Sequence, residues 1–131
     1  MNISKIKSYC KINLFLKVVK KLNTGYHNIS SLITFCDLHD IIIISEATGS
    51  KDEISFTGKF KKGIDNKKNT VVRMLSLLRK KNLLKKYYFK INIEKNIPHG
   101  SGLGGGSSNA AHLLSYINIK KKLKLKKKKN Y

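Results

Sequence analysis

From Lys11 to Val19 the sequence KINLFLKVV sets Ile12, Leu14, Leu16 and Val18 on one parity. That period of two predicts a strand with one buried face, and Phe15 on the other parity predicts partial cover there too. A glycine-containing turn at Leu22-Asn23-Thr24-Gly25 follows, then Tyr26-His27, then SSLITFCDL, whose Leu32, Ile33, Phe35 and Leu38 read as a second strand without a clear period. Asp40-IIIIS is β-branched throughout and reads as a strand buried on both faces; Glu53-ISFTGKF reads as another. Asn69 before TVVRMLSLLRKKN is a candidate N-cap, with Val71, Leu75 and Leu78 at the spacing of a helix packed on a sheet. From Tyr87 to Glu94 apolar and polar residues alternate, a half-buried strand that runs toward Pro98, the one proline, where pairing ends. SSNAAHLLSYI then starts a helix near Ser107 or Ser108, with Leu113, Leu114 and Ile117 on its apolar side.

At 131 residues the chain has room for one domain of ordinary size. Its 28 Lys plus Arg against 7 Asp plus Glu give a net charge of +21, while 40% hydrophobic residues gathered in runs argue for a core. All the basic residues but Arg73 and Arg79 are lysine. Lysine is a hydrated point charge and lacks the planar fork that reads bases, so the charge predicts non-specific polyanion binding and not sequence recognition. Cys10 and Cys36 form no CxxC and no disulfide framework, which fits a reduced cytoplasm and makes a thiolate metal site improbable. The start lacks a signal peptide's apolar core, and Ile41 to Ile44 is too short to cross a bilayer, so no membrane association is expected. From Ile119 the character changes: KKKLKLKKKKNY is a like-charge block with little to bury, read as a disordered tail over 119–131 or a frayed helix end.

The chemistry lies in the segment from Pro98 to Ala111, PHGSGLGGGSSNAA, where Gly100, Gly102, Gly104, Gly105 and Gly106 put five glycines in seven positions between a strand and a helix. Each costs about 0.5–1 kcal/mol relative to Ala where Ala would be tolerated. The return is a backbone whose N–H groups a ligand can approach, leading into a helix N-terminus: a phosphate seat, to which Ser107 and Ser108 add hydroxyls. A flexible Gly/Ser linker is the bland alternative, but the strand before and the amphipathic helix after supply the context of a phosphate loop. No Lys follows the last glycine, so it is not a GxxxxGK[ST] loop, and no acidic residue about twenty positions on completes a dinucleotide fingerprint.

PHGSGLGGGSSNAA resembles the phosphate motif of the GHMP small-molecule kinases. Cys10-KINLFLKV, followed by GYHNISSLITFCDLHDIIII, resembles the opening of the same family, over residues 8 to about 117. The similarity is to the N-terminal part of the branch that phosphorylates 4-diphosphocytidyl-2-C-methyl-D-erythritol in non-mevalonate isoprenoid biosynthesis. It implies an α+β fold, a ribosomal-protein-like β-sheet with helices on one face, with an ATP-binding domain over 1–118. It also implies ATP-dependent transfer of phosphate to a substrate hydroxyl, with Mg²⁺ expected from the reaction class. By the same resemblance Lys11 is the active-site lysine, stabilising the hydroxyl or the transferring phosphoryl group. Asn13 shares its face and orients substrate, while Tyr26 stacks on cytosine and His27 meets its polar edge. Pro98, His99, Gly100, Ser101, Gly102, Leu103, Gly104, Gly105, Gly106, Ser107 and Ser108 form the ATP loop. Without the motif around it, Lys11 would read as an exposed lysine, and Tyr26 and His27 as a packed ring and a solvated imidazole.

The family places a general-base aspartate after the loop, yet no Asp or Glu follows Glu94 here. Loss of a general base removes about 10²–10⁴ in rate, so impaired catalysis is the expectation, with a possible complementing C-terminal chain as the missing half. The lysine run is consistent with a truncated reading frame. Two alternatives accompany the kinase reading: a basic RNA- or ribosome-associated remnant without catalysis, whose binding would collapse with salt, and a product that barely folds because its sheet lacks a partner domain.

Overall fold

The computed structural model describes residues 2–125. Six elements follow in order: β1 (Ser4–Lys21), β2 (His27–Glu46), β3 (Glu53–Thr57), α1 (Thr70–Lys80), β4 (Phe89–Glu94) and α2 (Gly105–Lys121). They form one four-stranded sheet in the order β1-β2-β4-β3, with β1 and β2 antiparallel, β2 and β4 antiparallel, and β3 parallel to β4.

The core is where the expected periods meet. Ile42 and Ile44 of β2 and Phe89, Ile91 and Ile93 of β4 are buried on one side of the sheet. Val71, Leu75 and Leu78 of α1 and Leu113 and Ile117 of α2 close over them. Each fully buried Ile or Leu side chain contributes about 1.5–3 kcal/mol, so these few positions hold the domain together. α1 starts where the sequence indicates: Asn69 is its N-cap, and its side chain accepts the Val72 N–H at 3.0 Å. Arg79, in the last turn of α1, donates two side-chain hydrogen bonds to Asp52, which also accepts the Phe89 N–H. One carboxylate thus ties the helix end to the approach of β3 and the start of β4.

Three expectations need correction. The stretches read as separate strands around SSLITFCDL and IIIIS are one continuous strand, β2, of 20 residues. The parity of Ile12, Leu14, Leu16 and Val18 does mark a strand face, but that face is not buried: Leu14, Leu16 and Val18 are 62%, 55% and 58% exposed. β4 pairs with β2 only over Ile41–Glu46, so among the described residues no layer packs against either face of the β1–β2 ribbon beyond Lys11 and Phe35. Finally, α2 begins at Gly105, earlier than Ser107, and extends through Ile119 to Lys121, with Leu123 and Leu125 packed on the core. Ile119–Leu125 is therefore not disordered; the rest of the expected tail, 126–131, lies outside the described residues.

Candidate functional site

The alternation of β4 ends at Glu94, and the chain turns through 95–98 into the glycine loop. Lys11 lies on the facing strand, and its N–H donates to the Leu103 carbonyl at 3.1 Å, joining segments more than ninety residues apart. The next residue, Gly104, is the N-cap of α2 with φ +69°, a left-handed conformation that costs an L-residue about 1–2 kcal/mol. A Cβ there would also sit 3.0 Å from Lys11 Cε and 3.2 Å from Lys11 Cγ. Glycine at 104 thus serves two purposes: it turns the chain into the helix, and it lets the Lys11 side chain lie across the helix start.

α1 and α2 bring their N-termini to the same place, Thr70 Oγ1 donating to the Gly106 carbonyl at 2.7 Å. Neither helix carries an acidic residue in its first turn, and α2 has no side-chain cap. Two partial positive ends therefore converge, that of α1 capped by Asn69 and that of α2 without a side-chain cap. Between them opens a cavity of about 660 Å³, within the range of small-molecule sites. Lys11, Lys68, Arg73 and Lys95 line it against one carboxylate, Asp65. Asp65 is itself engaged, Oδ1 accepting the N–H groups of Lys67 and Lys68 at 2.7 and 3.2 Å. The field in the cavity is that of an anion site.

One atom inside the cavity wall stands out. Asn109 is 2% exposed, and its Oδ1 has no hydrogen-bond partner among the described residues. An orphaned buried acceptor costs about 1–3 kcal/mol, and Asn109 lies one turn beyond Gly105 on the wall of the cavity.

A polyanion cradle built from a strand lysine, a glycine turn and two helix N-termini can be set beside known proteins. A family model described as the GHMP kinases N terminal domain matches residues 69–130. The curated 4-diphosphocytidyl-2-C-methyl-D-erythritol kinase of Pelagibacter ubique is 49% identical over 127 residues, covering 97% of this chain and 44% of that protein. Its namesake from Acinetobacter baylyi is 42% identical over 115 residues, covering 87% of this chain and 40% of the relative. A crystal structure of 4-(cytidine 5'-diphospho)-2C-methyl-D-erythritol kinase superposes with a TM-score of 0.70 at 28% identity, over 94% of this chain and 42% of that one. The chain has the fold of a GHMP-kinase N-terminal domain. Homoserine kinase from Cytophaga hutchinsonii shares that fold at 17% identity with a TM-score of 0.67. The chain spans less than half the length of the curated relatives it matches.

On this GHMP scaffold the residues expected from the sequence do not all gather. Lys11, Pro98, His99, Gly100, Ser101, Gly102, Gly104, Gly105, Gly106 and Ser107 line the cavity. Leu103 turns its carbonyl to Lys11 instead. Ser108 faces β1: its Oγ donates to the Tyr9 carbonyl at 2.6 Å and accepts from Ser8 Oγ at 3.0 Å, which makes it a fastener of α2 to the sheet. Gly105 and Gly106 belong to the first turn of α2 and not to the loop before it. Asn13, Tyr26 and His27 stand on the ribbon outside the cavity lining, Tyr26 76% exposed next to the turn at its end. Ten residues of strand from Lys11 to Lys21 amount to roughly 33 Å of contour.

Sequence reasoning missed Lys68, Arg73, Thr70, Lys95 and Asn109 as wall residues. Asn109 sits inside the SSNAA motif and was within reach, but Lys95 is one lysine among many and carried no signal of its own. Cys10 is buried behind Lys11, and desolvation, with Cys36 beside it, holds its thiol above the ordinary range. Among the described residues no helix is long and apolar enough to cross a membrane.

Proposed function

We propose that this chain binds ATP with its phosphates in the cavity between the N-termini of α1 and α2, and that it forms the nucleotide half of a cytoplasmic kinase acting on 4-diphosphocytidyl-2-C-methyl-D-erythritol. The observation that carries this reading is the junction of Lys11 with Leu103 and Gly104, which sets a flexible ammonium beside a glycine-turned helix N-terminus. Amide groups of the first α2 turn and the surrounding cations receive the phosphates. The Lys11 ammonium offsets charge building on the transferring phosphoryl group and the attacking oxygen. Asn109 Oδ1 is the buried acceptor available to a donor brought in with the nucleotide. Among the described residues no cluster of three or more His, Cys, Asp or Glu is placed to hold a metal. Magnesium would therefore be held chiefly by the phosphates and would supply charge neutralisation there.

The acceptor side is assigned to Asn13, Tyr26 and His27, the ring stacking on cytosine and the imidazole meeting its edge. That role requires the ribbon to curl back toward Lys11. Its register shifts at Tyr9/Lys11, Asn13/Phe15 and Val18/Lys20 are the kind of irregularity at which strands bend. Deprotonating the acceptor hydroxyl needs a base, and Asp65, the one carboxylate of the cavity wall, already holds two amides. We assign that base to the part of the relatives that this chain does not span, supplied by a longer chain or by a complementing polypeptide. The exposed apolar ribbon around Leu14, Leu16 and Phe35 is the surface available to receive it.

Titration calorimetry with ATP and magnesium tests the nucleotide half: saturable binding to the folded chain is expected, and no heat from folded protein refutes it. A coupled phosphoryl-transfer assay on the chain alone and mixed with the remaining part of a relative tests the rest. Little turnover is expected from the chain alone, with activity appearing on mixing. Replacing Tyr26 by Ala is expected to weaken binding of the cytidine substrate while leaving ATP affinity unchanged.

A further inference from the structure

Beneath the glycine loop lies an ion pair whose carboxylate has no part in the nucleotide contacts proposed for the cavity. Asp40 is fully buried and the Lys95 side chain is 4% exposed. Asp40 Oδ1 accepts the N–H groups of Asn96 and Ile97 at 2.7 and 2.8 Å, and Oδ2 accepts from the Lys95 ammonium. The ammonium also reaches the start of α2: a Cβ built on Gly105 would lie 3.3 Å from Lys95 Nζ. A buried cation is therefore held next to the positive end of a helix that has neither a side-chain cap nor an acidic residue in its first turn. Left alone, those two positive groups repel. Asp40 offsets that repulsion in the empty protein. A polyphosphate entering the cavity meets the same two groups, so carboxylate and ligand act as alternative counter-charges for one positive site.

We propose that Asp40 is an electrostatic counterweight of the cradle, a positioning residue that keeps the Lys95 ammonium seated under α2 when no anion is bound and thereby holds polyphosphate affinity below what the cradle could reach. This rests on the reading of the cavity as a nucleotide site. Its consequence runs against the usual rule that removing a buried charge partner only does harm: Asp40→Asn is expected to destabilise the empty protein and to tighten anion binding. The amide oxygen of the substituted side chain can still accept the two backbone hydrogen bonds from Asn96 and Ile97, so the loop entry keeps its anchor while the opposing charge is lost.

The test uses the full 131-residue chain, with thermal unfolding and calorimetric titration against two probes, magnesium ATP and sodium tripolyphosphate. Removing one unit charge within about 10 Å of a polyanion, at the effective dielectric of a protein surface, predicts affinity for both probes higher by at least about 10-fold in Asp40→Asn. Lys95→Met is expected to lose at least about 10-fold for both, because the ammonium itself is gone. A merely structural role for Asp40 would lower the melting temperature and leave the dissociation constants of folded protein unchanged or weaker; that result overturns the proposal. Unchanged binding in Lys95→Met overturns it as well. Should Asp40→Asn fail to fold, the double variant Asp40→Asn/Lys95→Met decides by comparison with Lys95→Met: tighter binding in the double variant supports the proposal, and equal or weaker binding refutes it. Wild type binding tripolyphosphate but not ATP would remove the nucleotide reading while the counterweight is still measured with tripolyphosphate. Wild type binding neither probe removes both.

Discussion

Replacing Gly104 by Ala separates the cost of the turn from its purpose. The left-handed backbone at φ +69° imposes about 1–2 kcal/mol on any L-residue. The smaller entropy of the unfolded alanine chain returns about 0.4–1 kcal/mol. The new methyl also meets Lys11 Cε at 3.0 Å and Cγ at 3.2 Å. Lys11 is flexible and can move aside, so this contact adds little to the loss of stability. The net expectation is a loss of about 1 kcal/mol, which for a chain of this length lowers the melting temperature by roughly 3–6 °C. Binding should suffer more, because the displaced side chain carries the ammonium proposed to face the phosphates: a loss of about tenfold in ATP affinity corresponds to about 1.4 kcal/mol. Gly49→Ala is the control, since Gly49 is exposed, lacks a positive φ and has nothing within 4 Å of where its new methyl would lie. Differential scanning fluorimetry and calorimetric titration of the two variants side by side give both quantities. If Gly104→Ala melts and binds ATP like Gly49→Ala, the turn is not strained as described and Lys11 is not held by it.

Three further outcomes follow from the same geometry. Asn109→Leu removes an unpartnered buried acceptor, so thermal unfolding should show the ligand-free protein at least as stable as wild type, while titration shows weaker ATP binding. Phe15→Ser with Phe35→Ser, at positions 51% and 63% exposed, should change unfolding free energy by no more than about 0.5 kcal/mol each and sharply reduce binding of an apolar fluorescent dye to the ribbon. Cys10, whose thiol is raised first by burial and then by Cys36, should resist alkylation at neutral pH when followed by mass spectrometry. Because its folded value lies above its unfolded one, the unfolded state releases the proton first. Its contribution to stability is therefore full below the unfolded value and is lost as pH rises through the folded one, which Cys10→Ala should abolish in unfolding curves at alkaline pH.

Local chemistry made much of this protein legible from the chain alone. Asn69 before an apolar spacing of four and three fixed α1, because a cap and a stripe are properties of neighbouring residues. The alternation through Phe89, Ile91 and Ile93 fixed β4 and its buried face, and the run of glycines after Pro98 marked the turn into α2. The parity of Leu14, Leu16 and Val18 was equally clear and yet misleading about burial, since alternation defines a face but not whether any layer covers it. What only the tertiary structure decided are the meetings between distant segments: Lys11 against Leu103, the N-terminus of α1 beside that of α2, and Asp40 against Lys95. Lys95 is one of many lysines by sequence. It differs from them only because burial strips away the water that makes a surface lysine interchangeable, leaving its charge to be balanced by whatever the fold brings next to it.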